Sequence, residues 1–193
     1  MMKLFVSLLF SSGLAAISLP SCAQQAVKAK TVETAPVTIR TIEQSIAKIG
    51  GRATLQKYFC GSYNPDYVPS YAFKQIATGS KEWVDLAVKM RPYSDAGCAE
   101  DLCSYLGEAM QKQPRNVLPY VGKSSLLSPE DICMPFISNE IPEAEQLREV
   151  RRSKAALQTV KDKSLEKQCQ ACLSQVNSLE KKILADMAKK KKK

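Results

Sequence analysis

Seven cysteines, Cys22, Cys60, Cys98, Cys103, Cys133, Cys169 and Cys172, are the residues of this 193-residue chain best equipped for chemistry. A cysteine can attack as thiolate, hold a metal, carry an acyl chain or close a disulfide, and its spacing and surroundings decide which of these is open. Cys169-x-x-Cys172 has the spacing of a dithiol redox pair, and together with Cys98-x4-Cys103 it offers the four sulfurs of a thiolate zinc site. Histidine is absent. No Ser-His-Asp or Cys-His nucleophile, no histidine base and no histidine-ligated metal can therefore be assembled. The sequence also lacks Gly-x-Ser-x-Gly, a phosphate loop and a dinucleotide fingerprint. Glu100, Asp101, Glu140, Glu143 and Glu145 read as helix-start charges and solvated faces, with no pair spaced for glycoside cleavage. The expectation is a non-enzyme with no catalytic residue, no cofactor and no metal.

The N-terminus supplies the compartment that selects among the cysteine chemistries. Met1-Met2-Lys3 is a short basic start, followed by an apolar run from Leu4 to Leu19 broken only by Ser and Gly. That is the basic and hydrophobic core of an export signal, too short and too rich in serine for a membrane span. Leu19-Pro20-Ser21-Cys22 then resembles the lipobox of bacterial lipoproteins. In that family the segment before the cysteine is removed and the cysteine becomes the lipid-bearing first residue. The resemblance implies a signal peptide over 1–21, acylation of Cys22, and a membrane attachment made through that lipid. Ala23, where an Asp favours the inner membrane, implies the outer membrane with the domain facing the periplasm. Ser21-Cys22-Ala23 also reads as a small-x-small site for ordinary secretion, which leaves a soluble periplasmic or secreted protein as the alternative.

With Cys22 acylated, six cysteines remain in an oxidising compartment. The expectation is three disulfides among Cys60, Cys98, Cys103, Cys133, Cys169 and Cys172, and spacing does not choose among the fifteen pairings. Zinc would want a reducing compartment, and a redox pair would want the strand-to-helix setting of thioredoxin-like folds.

The elements that position these residues are helical. Residues 22–37 show no sustained periodicity and read as the acylated cysteine and a flexible tether. The domain spans 38–188. Ile42, Ile46 and Ile49 recur at helical spacing up to Gly50-Gly51, and a short second helix carries Leu55 and Phe59. Phe73 and Ile76 lead to Gly79; Ser80 is placed to cap a helix bearing Trp83, Leu86 and Met90; Ser94-Asp95 opens one bearing Ala99, Leu102, Cys103, Leu106 and Met110. Ser128-Pro129-Glu130-Asp131 is the clearest helix start, and Pro142 begins a longer helix with Leu147, Val150 and Leu157. The last seam runs Leu165, Cys169, Cys172, Val176, Leu179, Ile183, so both cysteines of the Cys-x-x-Cys lie on a core-facing stripe. A thiol in such a stripe is packed, and more apt to be cross-linked than reactive. No alternating run suggests a strand. The expected fold is all-α, seven or eight short helices in antiparallel pairs cross-linked by disulfides.

Charge adds one feature. The 28 Lys and Arg against 19 Asp and Glu give +9, but Lys3 and the tail Lys189, Lys190, Lys191, Lys192 and Lys193 account for most of it. The plainer reading of the tail is a solvated helix end whose charge suits the helix dipole; the functional one is contact with an anionic surface. No nucleic-acid binding is expected, since the tail has no interleaved aromatics. Trp83 reads as a core anchor, and Tyr58, Tyr63, Tyr67 and Tyr71 as half-buried loop residues or, functionally, a partner patch.

From Ile42 to Val121 the chain resembles an uncharacterised group of exported helical envelope proteins of proteobacteria. The resemblance rests on Ile76-Ala77-Thr78-Gly79 with Trp83 and Leu86-Ala87, then Asp95-Ala96, Ala109-Met110, Gln113-Pro114 and Val117-Leu118, with Cys133-Met134-Pro135-Phe136 and Cys172-Leu173 beyond. It implies a helical cell-envelope domain and a Cys133–Cys172 disulfide, and supplies no catalytic residue. The function expected is a lipid-anchored binding or scaffold module holding a protein partner in the envelope. The alternative is a periplasmic immunity or inhibitor protein against a secreted toxin or cell-wall hydrolase.

Overall fold

A computed structural model describes residues 36–60, 70–133 and 141–190. Cys22, the tether up to residue 35, Tyr63, Tyr67, Glu140 and Lys191 to Lys193 lie outside the described residues. Among those described, the regular structure is entirely helical: α1 Ile39–Ile49, α2 Gly51–Tyr58, α3 Tyr71–Ile76, α4 Lys81–Met90, α5 Ala96–Lys112, α6 Pro114–Val117, α7 Pro129–Ile132, α8 Glu143–Gln158 and α9 Glu166–Lys190, with short 3-10 turns between them. The ninth, beyond the expected seven or eight, is α6, a single turn started by Pro114. None of these helices is long and apolar enough to cross a membrane.

The helix starts follow local side-chain chemistry. Thr38, Ser70, Asp95 and Ser128 each accept a hydrogen bond from a backbone N–H three residues on, at 3.1–3.3 Å, which satisfies a donor the helix itself leaves unpaired. Ser80 departs from expectation: it occupies the cap position of α4, yet its side chain makes no capping bond. Its own N–H donates instead to the Thr78 hydroxyl at 3.2 Å. Between α1 and α2 the chain turns at Gly50, whose φ of +83° suits only glycine. Ile49, the last residue of α1, is 45% exposed. Inside the corner, the Thr54 hydroxyl lies 2.8 Å from the Gly50 carbonyl and 3.1 Å from Ser45 Oγ, which provides for both buried hydroxyls.

Helix α5 is the hub, packing on α3, α4, α6, α7 and α8. Its Leu102, Leu106 and Met110 are fully buried with Phe73, Ile76, Val84 and Met90. Phe73 stacks on Tyr105 at 4.7 Å and meets Phe59 edge-on at 5.7 Å. Trp83 is only half-buried, set edge-on against Tyr71 at 6.2 Å on the rim of this core. Helices α8 and α9 form a second, antiparallel layer. Lys190 pairs with Glu143 at one end, Arg151 and Lys154 with Glu180 in the middle, and the Cys169 thiol donates to the Leu157 carbonyl at the other.

Two disulfides staple the layers. Cys60–Cys98 ties the end of α2 to α5, and Cys133–Cys172 ties the end of α7 to α9, with Cα separations of 5.7 and 5.1 Å. Their sequence separations of 38 and 39 residues correspond to about 4 kcal/mol each, chiefly by constraining the unfolded chain. The third expected disulfide is not formed: Cys103 and Cys169 are free and buried. They sit on helices with different partners, Cys103 on α5 beside Arg91 and Asp131, Cys169 on α9 against α8. An even cysteine count permits full pairing but cannot bring those two helix faces together.

Candidate functional site

The four sulfurs that sequence spacing offers as a metal or redox set are divided by the fold. Cys98 and Cys172 are consumed by disulfides to Cys60 and Cys133, so Cys169 faces no dithiol partner and the zinc grouping of Cys98, Cys103, Cys169 and Cys172 is not available. No group of three His, Cys, Asp or Glu side chains poised for a metal occurs among the described residues.

The two free thiols are held in their protonated form. Burial pushes Cys169 up, only partly opposed by the charge of Lys161. It sits at the floor of an open cleft of about 220 Å³ between the chain at Val160–Lys163 and the first turns of α9. Burial likewise raises Cys103; a hydrogen bond and positive charge from Arg91 oppose it, and Asp131 adds to it. A thiol is nucleophilic as thiolate, so both positions suit packing better than attack.

The charged and polar side chains form two clusters that the sequence does not display. Lys81 and Asp85, one turn apart on α4, lie 2.7 Å from each other, and Tyr120 donates its phenolic hydrogen to the same carboxylate at 2.6 Å. Burial pushes Asp85 up, but the hydrogen bonds from Lys81 and Tyr120 outweigh it and hold the carboxyl below its ordinary value. The hydrogen bond to Asp85, helped by burial, raises the Tyr120 phenol. The i,i+4 spacing of Lys81 and Asp85 is legible; the arrival of Tyr120 from the turn after α6 is not. In the second cluster Glu180 of α9 takes hydrogen bonds from Lys154 and Arg151 of α8, both at 2.9 Å, which lower its carboxyl. Both clusters join one element to another.

A second surface cleft, about 290 Å³, lies between Val121–Lys123, Pro129 and the start of α9 at Lys167 and Gln168. It gathers two ammonium groups, and the Lys123 ammonium rests 5.1 Å from the Tyr120 ring. The Gln168 carbonyl oxygen is buried without a partner beside it.

Of the tail lysines, Lys189 and Lys190 continue α9 and are exposed. Lys189 lies 3.4 Å from Asp186, and Lys190 pairs with Glu143. Lys181 and Lys182, two turns earlier, are exposed and have no ion pair among the described residues. Among the four tyrosines, Tyr58 packs half-buried on the core under the Lys57 ammonium, and Tyr71 is 38% exposed. Tyr63 and Tyr67, the other two, lie outside the described residues. What composition did not flag is Leu184, 43% exposed amid the lysines of α9.

No family model, curated protein or solved structure matches the chain.

Proposed function

We propose that the protein is a lipid-anchored helical binding or scaffold module of the bacterial cell envelope, held at the outer membrane by acylated Cys22, where it occupies a protein partner on the periplasmic side. The observation that carries this reading is the pair of disulfides, Cys60–Cys98 and Cys133–Cys172, in a body of short helices. Such bonds persist in oxidising compartments, and the basic, apolar and lipobox-like segment ending at Cys22 is the kind of signal that delivers a chain there. Several acyl chains on one cysteine, each buried CH₂ contributing about 0.8 kcal/mol, hold a protein firmly at a bilayer. The packed thiols, whose burial keeps them protonated, and the engagement of Glu180 by Lys154 and Arg151 support a binding role over a chemical one.

Metabolic labelling with a clickable fatty-acid analogue tests the anchor. Wild type should incorporate the label and fractionate with the outer membrane, and Cys22→Ala should do neither. Equal labelling of the two overturns the acylation. Cross-linking in intact cells followed by purification through the helical body then identifies the partner.

A further inference from the structure

We infer that the exposed face of α9 over residues 181–189 docks on an anionic lipid surface, with Leu184 entering the boundary between headgroups and acyl chains and Lys181, Lys182 and Lys189 meeting lipid phosphates. This rests on the helix surface itself and holds whether or not Cys22 is acylated.

The two sides of α9 differ in character. Val176 and Ile183 are buried, and Leu179 and Met187 pack partly buried beside them, so the helix spends its main apolar stripe on the core. On the opposite side Lys181, Lys182, Leu184, Ala185, Ala188 and Lys189 are all exposed. At 100° per residue, 181, 184, 185 and 188 fall within an arc of about 100°, with 182 and 189 along one edge. The result is a narrow second stripe in which Leu184, Ala185 and Ala188 surround one lysine and are flanked by two more. That pattern, a modest apolar strip with lysines beside it, is how a helix lies in a membrane interface.

Among the described residues, the charge of this face is compensated only at Lys189, which pairs with Asp186. Glu180, at its border, is already engaged by Arg151 and Lys154 from α8. Lys181 and Lys182 have no carboxylate partner among the described residues, and the sequence continues into Lys191, Lys192 and Lys193. A nucleic acid would meet the same charge, but the face has no aromatic on which a base could stack, and Leu184 would remain in water. A lipid surface satisfies both the lysines and the leucine.

The test uses the full chain carrying Cys22→Ser, so that no acyl chain contributes, and compares vesicles of phosphatidylcholine with vesicles containing phosphatidylglycerol. The protein should partition more strongly onto the anionic vesicles, and rising salt should reduce the difference. Lys181→Gln with Lys182→Gln should weaken that partition about 30-fold at low salt, at roughly 1 kcal/mol per lysine. Leu184→Ser should weaken it several-fold while leaving the salt dependence intact. All three positions are exposed, and unchanged circular dichroism and disulfide content would show the variants folded. Equal binding to both vesicle types, full binding by the double lysine variant, or binding of duplex DNA in place of vesicles would each overturn the inference. Because the protein tested has no acylated cysteine, its result is independent of the labelling experiment on Cys22.

Discussion

Cys98 and Cys103 stand five residues apart on α5 and meet opposite fates: the first is bonded to Cys60, the second is a buried free thiol beside Arg91. Five helical residues turn the side chain by about 140° from its starting direction, so one faces the end of α2 and the other the turn after α4. The consequence is countable. The native body should react with a thiol reagent slowly or not at all, and unfolding without reductant should release two thiols, Cys103 and Cys169. Reduction should then expose four more. A third thiol, reacting promptly in the native state, would mark Cys22 left without lipid. No thiol released on unfolding would mean that a third disulfide exists and the described pairing is incomplete.

Gly79 and Gly122 share a left-handed backbone, with φ of +78° and +73°, but differ in their neighbours. A Cβ on Gly79 would lie 2.7 Å from Gln113 Cβ and 3.1 Å from the Ala109 carbonyl oxygen; one on Gly122 would meet nothing within 4 Å. The Gly79 carbonyl also accepts a hydrogen bond from Asn116 at 2.8 Å, which locks the turn before α4 to α6. Gly122→Ala should cost about 1 kcal/mol, the price of a left-handed alanine. Gly79→Ala adds the displacement of α5 and should cost at least twice as much, read from urea midpoints. Equal losses would show that α5 does not approach Gly79 this closely.

The difference between these glycines illustrates what the sequence reveals and what it withholds. Helix existence was legible because apolar spacing and capping residues act locally: Asp95 and Ser128 start their helices as expected, and Cys169, Cys172, Val176 and Ile183 of the last stripe are buried. Ser80 holds the cap position of α4 without a side-chain capping bond, which its residue type does not announce. The cysteines were legible as disulfide-formers, but which two stay reduced depends on which neighbour each helix turns its thiol toward, Arg91 and Asp131 for Cys103 and Leu157 for Cys169. That is a property of helix packing, and no count of cysteines contains it. Tyr120 on Asp85 and the exposure of Leu184 are likewise tertiary facts. The seam spacing does pick Ile183 over its neighbour Leu184 for the core, but it does not say that Leu184 is left uncovered by every other element.

The Tyr120–Asp85 bond supplies a pH-dependent prediction whose sign can be worked out. The folded carboxyl titrates below its ordinary range, so its contribution is fully present above about pH 4, the unfolded value, and is lost as pH falls through the lower folded value. The phenol is raised, so its contribution is fully present below about pH 10 and is lost as pH rises through the higher folded value. Between those limits Tyr120→Phe should reduce stability by about 1 kcal/mol, since the hydrogen bond is only partly buried and Asp85 is 43% exposed. Urea midpoints of wild type and variant should therefore differ most near neutrality and converge at both extremes. The acid convergence belongs to Asp85, because Lys81 stays charged throughout that range and its exposed ion pair contributes little. A gap that stays constant from acid to alkaline pH would assign the loss to packing of the ring, and would remove Asp85 as the group that fixes the turn after α6 onto α4.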